Sequence, residues 1–121
     1  MEHLSPNDFK LLTNPGVASL QLLSPHNSQS TQVTITRVTV EAGAVQERHQ
    51  HESSEQILLA LSGNGTLLFS DEKTSSFSEG ELVRFAKGEI HGFHNTGNKP
   101  FVYISVTSPP VDFSNAYQHK A

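Results

Sequence analysis

The chain has 121 residues, 35% of them hydrophobic and 17% charged, which is the balance of a soluble globular domain rather than a disordered tail. Eight Lys and Arg against twelve Asp and Glu give a formal net charge of -4, and the basic residues never gather into a patch that could follow phosphates, so nucleic acid is not an expected partner. Cysteine is absent, which removes disulfides, thiolate metal ligands and cysteine nucleophiles together.

A chain this long buries about two-thirds of its unfolded surface on folding, enough for one core and one domain over residues 1–121 without a metal staple. Any metal it binds is then expected to be functional. The longest apolar run, Ile57 to Leu61, falls far short of the roughly 18 residues of a membrane span. The start, Met1-Glu2-His3-Leu4-Ser5-Pro6, has neither the basic head nor the apolar centre of a signal peptide. The expectation is a cytoplasmic protein with no membrane partner. No nucleophile elbow, phosphate-binding loop or dinucleotide fingerprint is present.

In chain order, Met1 to Leu12 is weakly patterned and reads as a peripheral end, with room for one helical turn. Val17 to Leu23 reads as a strand, entered through Asn14-Pro15-Gly16 and ended by Ser24-Pro25-His26-Asn27. Gln32 to Val40 is a second; its apolar phase shifts between Ile35 and Val38, which suggests a bulge or a strand covered on both faces. Gln56 to Ser62 and Gly65 to Ser70 have the form of a hairpin closed by Gly63-Asn64, and Asp71-Glu72-Lys73 marks another turn. Thr74 to Ser78, Leu82 to Phe85, Ile90 to His94 and Phe101 to Thr107 add short strands between Gly and Pro signals. Pro109 to Ala121 reads as a peripheral tail. Eight or more strands and no convincing 3.6-residue period make the chain all-β.

Histidine is over-supplied at seven, and His49, His51, His91 and His94 fall among most of the glycines. In a strand, residues i and i+2 share a face, so His49-Gln50-His51 sets two imidazoles side by side, able to converge on one ion. Gly43, five residues, His49-Gln50-His51, four residues, Gln56, six residues and Gly63 resemble the first motif of the cupin family. Gly80, five residues, Ala86-Lys87-Gly88, two residues, His91, three residues and Asn95 resemble the second, with Ala86 in place of the family's proline.

The resemblance implies a double-stranded β-helix, or jelly-roll barrel, of six or eight strands. It also implies a homodimer, a small-molecule ligand in the barrel, and one divalent metal on His49, His51, Gln56 and His91. Three imidazoles and an amide oxygen suit Mn, Fe, Co, Ni, Cu or Zn better than Ca or Mg. Shifting the register by one would put Glu55 on the ion instead of Gln56; both faces of that strand are apolar, so parity does not decide. Glu47 shares the parity of the His pair and is the candidate acid-base residue, facing the cavity where burial would raise its pKa, or else a solvated rim carboxylate. His94, three residues past His91, belongs on the opposite face. Tyr103 is a pocket, interface or core residue, and Arg84, Phe85 and Phe93 are candidates for a pocket mouth. His3, His26 and His119 lie in terminal or turn segments and are expected to be exposed. The activity implied is metal-dependent isomerase, lyase or dioxygenase chemistry on a polar, oxygen-rich molecule, with binding or structural roles as alternatives.

Overall fold

The computed structural model describes residues 1–117 and the backbone of 119 and 120. The β-branched and alternating segments form strands that run β1 (Lys10–Asn14), β2 (Val17–Leu23), β3 (Thr34–Val40), β4 (Val45–His49), β5 (Glu55–Ser62) and β6 (Asn64–Phe69). They continue as β7 (Thr74–Ser78), β8 (Leu82–Phe85), β9 (His91–His94), β10 (Phe101–Ser108) and β11 (His119–Lys120). Pro6–Asp8, the one helical turn the start had room for, is a 3-10 turn, and among the described residues no helix is long and apolar enough to cross a membrane.

Two antiparallel sheets make the barrel, a seven-stranded one in the order β11-β1-β2-β3-β10-β5-β8 and a four-stranded one in the order β4-β9-β6-β7. Between them sit Val38, Val40, Ala60, Leu67, Phe77, Phe93 and Phe101. Phe93 and Phe101 are in contact, with centroids 4.4 Å apart, and burying each such ring contributes about 2–3 kcal/mol.

The interior changes character along the strands. On β10 the inward residues run Phe101, Tyr103, Ser105, Thr107, and on β3 their partners run Val40, Val38, Thr36, Thr34. One end of the barrel is therefore an aromatic plug and the other is lined by hydroxyls. The same gradient explains the apparent phase shift in β3. Its inward face holds Thr34 and Thr36 beside Val38 and Val40, so the alternation is unbroken and β3 carries no bulge against β10.

Three expectations about local structure are corrected. β5 and β6 do not form a hairpin: β5 pairs with β10 and β8, β6 with β7 and β9. Gly63, at φ +99° with the backbone of Pro100 and Phe101 against it, carries the chain from one sheet to the other, a path that a side chain would obstruct. β6 makes its hairpin with β7 instead, closed through Asp71 and Glu72, both at positive φ. Lys10–Asn14 pairs with β2 along its whole length, so the first dozen residues are not wholly peripheral. Finally, the segment after β10 folds back: Ser54 Oγ donates to Pro109 O at 2.8 Å, Val111 N to Thr34 Oγ1 at 3.0 Å and Asn14 Nδ2 to Ala116 O at 2.9 Å. Its cohesion comes from hydrogen bonds to distant strands, which no local periodicity records.

Candidate metal centre

β4 and β9 lie side by side with His49 opposite His91, and His51 follows β4 in a loop tied to the second motif by Gly88 N donating to His51 O at 2.9 Å. The three imidazoles meet at the polar end of the barrel, their centroids 4.4 to 5.5 Å apart. Each offers a nitrogen within 4.8 Å of the others. Phe85 stacks on His91 at 4.2 Å and 9° and fixes the plane of that ring.

Protonation is set by the backbone. His49 Nδ1 is 2.7 Å from Glu47 O, and His91 Nδ1 is 3.0 Å from Glu89 O. A carbonyl oxygen only accepts, so both Nδ1 atoms carry hydrogen, and Nε2 is the nitrogen left on each ring to offer a lone pair to an ion. Burial holds His91 neutral, pushing its pKa down to about 4, and likewise lowers that of His51, aided by His49. His51 Nε2 is buried beside Gln56 and makes no well-formed hydrogen bond.

Gln56 faces the same point. Its Oε1 lies 2.7 Å from His91 Nε2 while its Nε2 donates to Ser105 Oγ at 2.7 Å. In this orientation two lone-pair atoms confront each other, a contact that a cation relieves. The reversed amide would instead donate to His91 and accept from Ser105, so an ion selects the first. Glu55 points outward to Arg84, with Oε2 2.7 Å from Nη2, which settles on geometric grounds which of the two residues faces the histidines and takes Arg84 away from the pocket mouth. Orphaned Nε2 on His51, fixed tautomers on His49 and His91 and an inward amide oxygen make a donor set that fits a divalent transition ion.

Glu47 is exposed and does not occupy the interior position that simple alternation assigns it. Pairing of β4 with β9 slips between Gln46 and His49: Gln46 opposes Phe93 and His49 opposes His91. Three steps on one strand against two on the other make a bulge, and a bulge inverts parity. Gln46 therefore faces in, its Oε1 accepting from Tyr103 Oη at 2.9 Å, and Glu47 sits at the rim. Gly92 permits this, because a Cβ there would come within 2.6 Å of Gln46 O.

The pocket beside the histidines has a volume of about 480 Å³, with Val38, Leu58 and Phe93 on its apolar side and Phe113, Ala116 and Tyr117 along one margin. Phe113 meets the edge of His51 at 5.7 Å. Thus the segment read as a tail forms part of the wall; nothing in its composition signalled this. Phe93 belongs to the core as well as to the wall, and His94 is half-buried on the face opposite His91. Asn95, the last residue of the second motif, is fully buried and clamps the β9–β10 loop through Val40 O, Lys99 O and Gly97 N. His26 holds Ser114 at 3.1 Å on the outside, and the His119 side chain lies outside the described residues.

Tyr103 and Tyr117 are the chain's two tyrosines, and tryptophan is absent. Burial raises both pKa values above the usual 10, most strongly for Tyr103. A folded-state pKa above the unfolded one means stability complete below about pH 10 and lost as pH rises beyond it. Tyrosinate absorbance is expected to stay absent from the native protein at pH 10 and to emerge only with alkaline unfolding. Half-titration at pH 10 with the fold intact would place these hydroxyls in solvent.

A two-sheet barrel with histidines from two motifs at one end defines a class, and the sequence comparison agrees with it. Residues 36–107 match the family model described as a cupin domain, and the chain belongs to the cupin family. A protein of Methanocaldococcus jannaschii described as uncharacterized protein MJ1618 is 25% identical over 99 residues, covering 82% of this chain and 78% of that one. Among solved structures, ectoine synthase from P. lautus superposes with a TM-score of 0.77 at 13% identity, covering 96% of this chain and 83% of that one. The polyketide cyclase RemF from Streptomyces resistomycificus gives 0.76 at 20% identity, covering 89% and 79%. These structural likenesses establish the barrel, and their different activities show that it hosts unlike chemistries.

Proposed function

We propose that this chain is a divalent-metal-binding cupin that works as a small metal-dependent enzyme on a polar, oxygen-rich small molecule. The observation that carries this is the convergence of His49, His51 and His91 with Gln56 at the polar end of a ligand-sized pocket. His49, His51, Gln56 and His91 would hold one ion of Mn, Fe, Co, Ni, Cu or Zn, which when bound supplies a Lewis acid for an oxygen atom of the ligand.

The chain's own residues do the rest. Ser105 and the backbone carbonyls of Glu47 and Glu89 orient the donors. Tyr103 keeps its proton and offers a hydroxyl fixed by Gln46. Phe113 packs its ring against His51 at the pocket margin. An uncharged donor set favours isomerase or lyase chemistry over the oxygen chemistry of a 2-His-1-carboxylate site.

Glu47 is the one carboxylate among the described pocket-lining residues, so a proton that the chain itself moves passes through Glu47 at the mouth. With a panel of hydroxy acids, keto acids and sugars followed by NMR on metal-loaded protein, Glu47→Gln is expected to abolish turnover while ligand affinity stays within about twofold, as expected for loss of a general base. Unchanged turnover in the variant would remove Glu47 from the chemistry. The exposure of that sole carboxylate favours a second reading, a binding or sensing module without catalysis, and absence of turnover across the panel together with measurable binding would select it.

We also propose a cytoplasmic homodimer. Leu59 and Leu82 are cross-strand neighbours on the outer face of β5 and β8, with Leu61 beside them, and Leu82 is 61% exposed. Such a patch at the sheet edge suits a second copy. Light scattering at micromolar concentration is expected to give twice the chain mass; a monomer would contradict the proposal.

A further inference from the structure

The charge inventory of the pocket carries a statement about its ligand, which rests on the metal-binding reading. Among the described lining residues the charged side chains are Glu47 and Arg48, both exposed at the mouth. Arg48 is already committed, its Nε donating to Phe69 O at 2.8 Å and its Nη2 to Lys73 O at 3.4 Å. Deeper in, the wall is uncharged: Ser19, Thr36, Gln56, Tyr103 and Ser105 are buried polar groups without formal charge. Glu55, next to Gln56 in the chain, has its carboxylate outside with Arg84.

A dication on three imidazoles and an amide oxygen therefore keeps both its charges beside buried walls that supply none of opposite sign, the carboxylate of Glu47 lying exposed at the mouth. Buried charge without a partner is costly, and the partner missing here is a negative oxygen. We infer that the pocket selects a small carboxylate anion, its carboxylate on the ion at the histidine end and its remaining oxygens toward the hydroxyls of Ser19 and Thr36, with Tyr103 Oη, whose proton goes to Gln46, able to accept from a ligand hydroxyl. Phosphate fits less well, because protein sites grip it with arginine, lysine or helix N-termini. The described wall has no buried cation, and the only helix in it is the single 3-10 turn Phe113–Ala116, too short to present an anion site. Gln56 is the selecting residue, since the isosteric Gln56→Glu would place the missing negative charge in the wall itself. Ser105 can rotate its hydroxyl to donate to the new carboxylate, so the change leaves no orphaned partner.

The test uses the full chain loaded with Co(II), whose visible spectrum reports a change of ligand on the ion. Glycolate is titrated against its uncharged isostere glycolamide and against inorganic phosphate. Glycolate is expected to shift the spectrum saturably and to bind more tightly than either, and Gln56→Glu to weaken it at least about tenfold while Co(II) binding holds or tightens. Equal binding of glycolamide, tighter binding of phosphate, or undiminished glycolate binding by Gln56→Glu would each overturn the carboxylate inference and leave the metal centre standing. Failure of the unaltered chain to take up Co(II) would overturn both.

Discussion

Replacing His49 and His51 together by alanine is expected to lower divalent-ion affinity by more than about 100-fold, since loss of a group that merely orients a ligand costs about 10- to 100-fold. Two of the four proposed donors disappear in this variant. His91 and Gln56 remain 2.7 Å apart, a pair too small to retain a transition ion against water. The fold is expected to survive, because His49 is exposed, His51 is half-buried and neither belongs to the core. Isothermal titration with Zn(II) reads the affinity, and circular dichroism of the metal-free protein reads the fold. Affinity like that of the unaltered chain, with the fold intact, would show that the ion sits elsewhere.

Gly92→Ala is expected to strike both stability and the metal centre, although residue 92 carries no side chain toward the histidines. The added Cβ would lie 2.6 Å from Gln46 O and 3.0 Å from Arg48 N, so backbone rather than a flexible side chain must yield. Overpacking of this kind costs about 1–3 kcal/mol, and in a domain of this size a loss at the upper end lowers Tm by roughly 10 °C or more. Because β4 is displaced from β9, His49 moves away from its partner His91, and Zn(II) affinity is expected to fall with Tm. Preserved Tm and affinity would mean that the bulge gives way without moving His49.

Much of the site is legible in the sequence because ligand spacing is a local property of each strand. His49-x-His51 and the count from Gly43 to Gly63 single out His49, His51 and Gln56 before any packing is known, and Gln56 does face the histidines while Glu55 meets Arg84. Parity failed where it was interrupted. Counting by twos from His49 sends Glu47 inward, whereas the bulge seated on Gly92 hands that position to Gln46.

The all-β class was readable from β-branched alternation, but the partner of each strand was not. Gly63-Asn64 has the composition of a hairpin turn, yet Gly63 serves as a crossing between sheets. Pro109 to Tyr117 gave no signal because its contacts, to Asn14, Thr34, Ser54 and His51, are all remote in sequence. The inward threonines of β3 mimicked a phase error, since a polar lining weakens the hydrophobic alternation on which strand reading depends.

Elemental analysis of the untagged, purified protein by plasma mass spectrometry tests the central claim most directly. About one divalent transition metal per chain is expected, as purified or after reconstitution with Mn, Fe, Co, Ni, Cu or Zn. A chain that holds none under either condition would contradict the metal centre, and the pocket would then have to recognise its ligand through hydroxyls, amides and imidazoles alone.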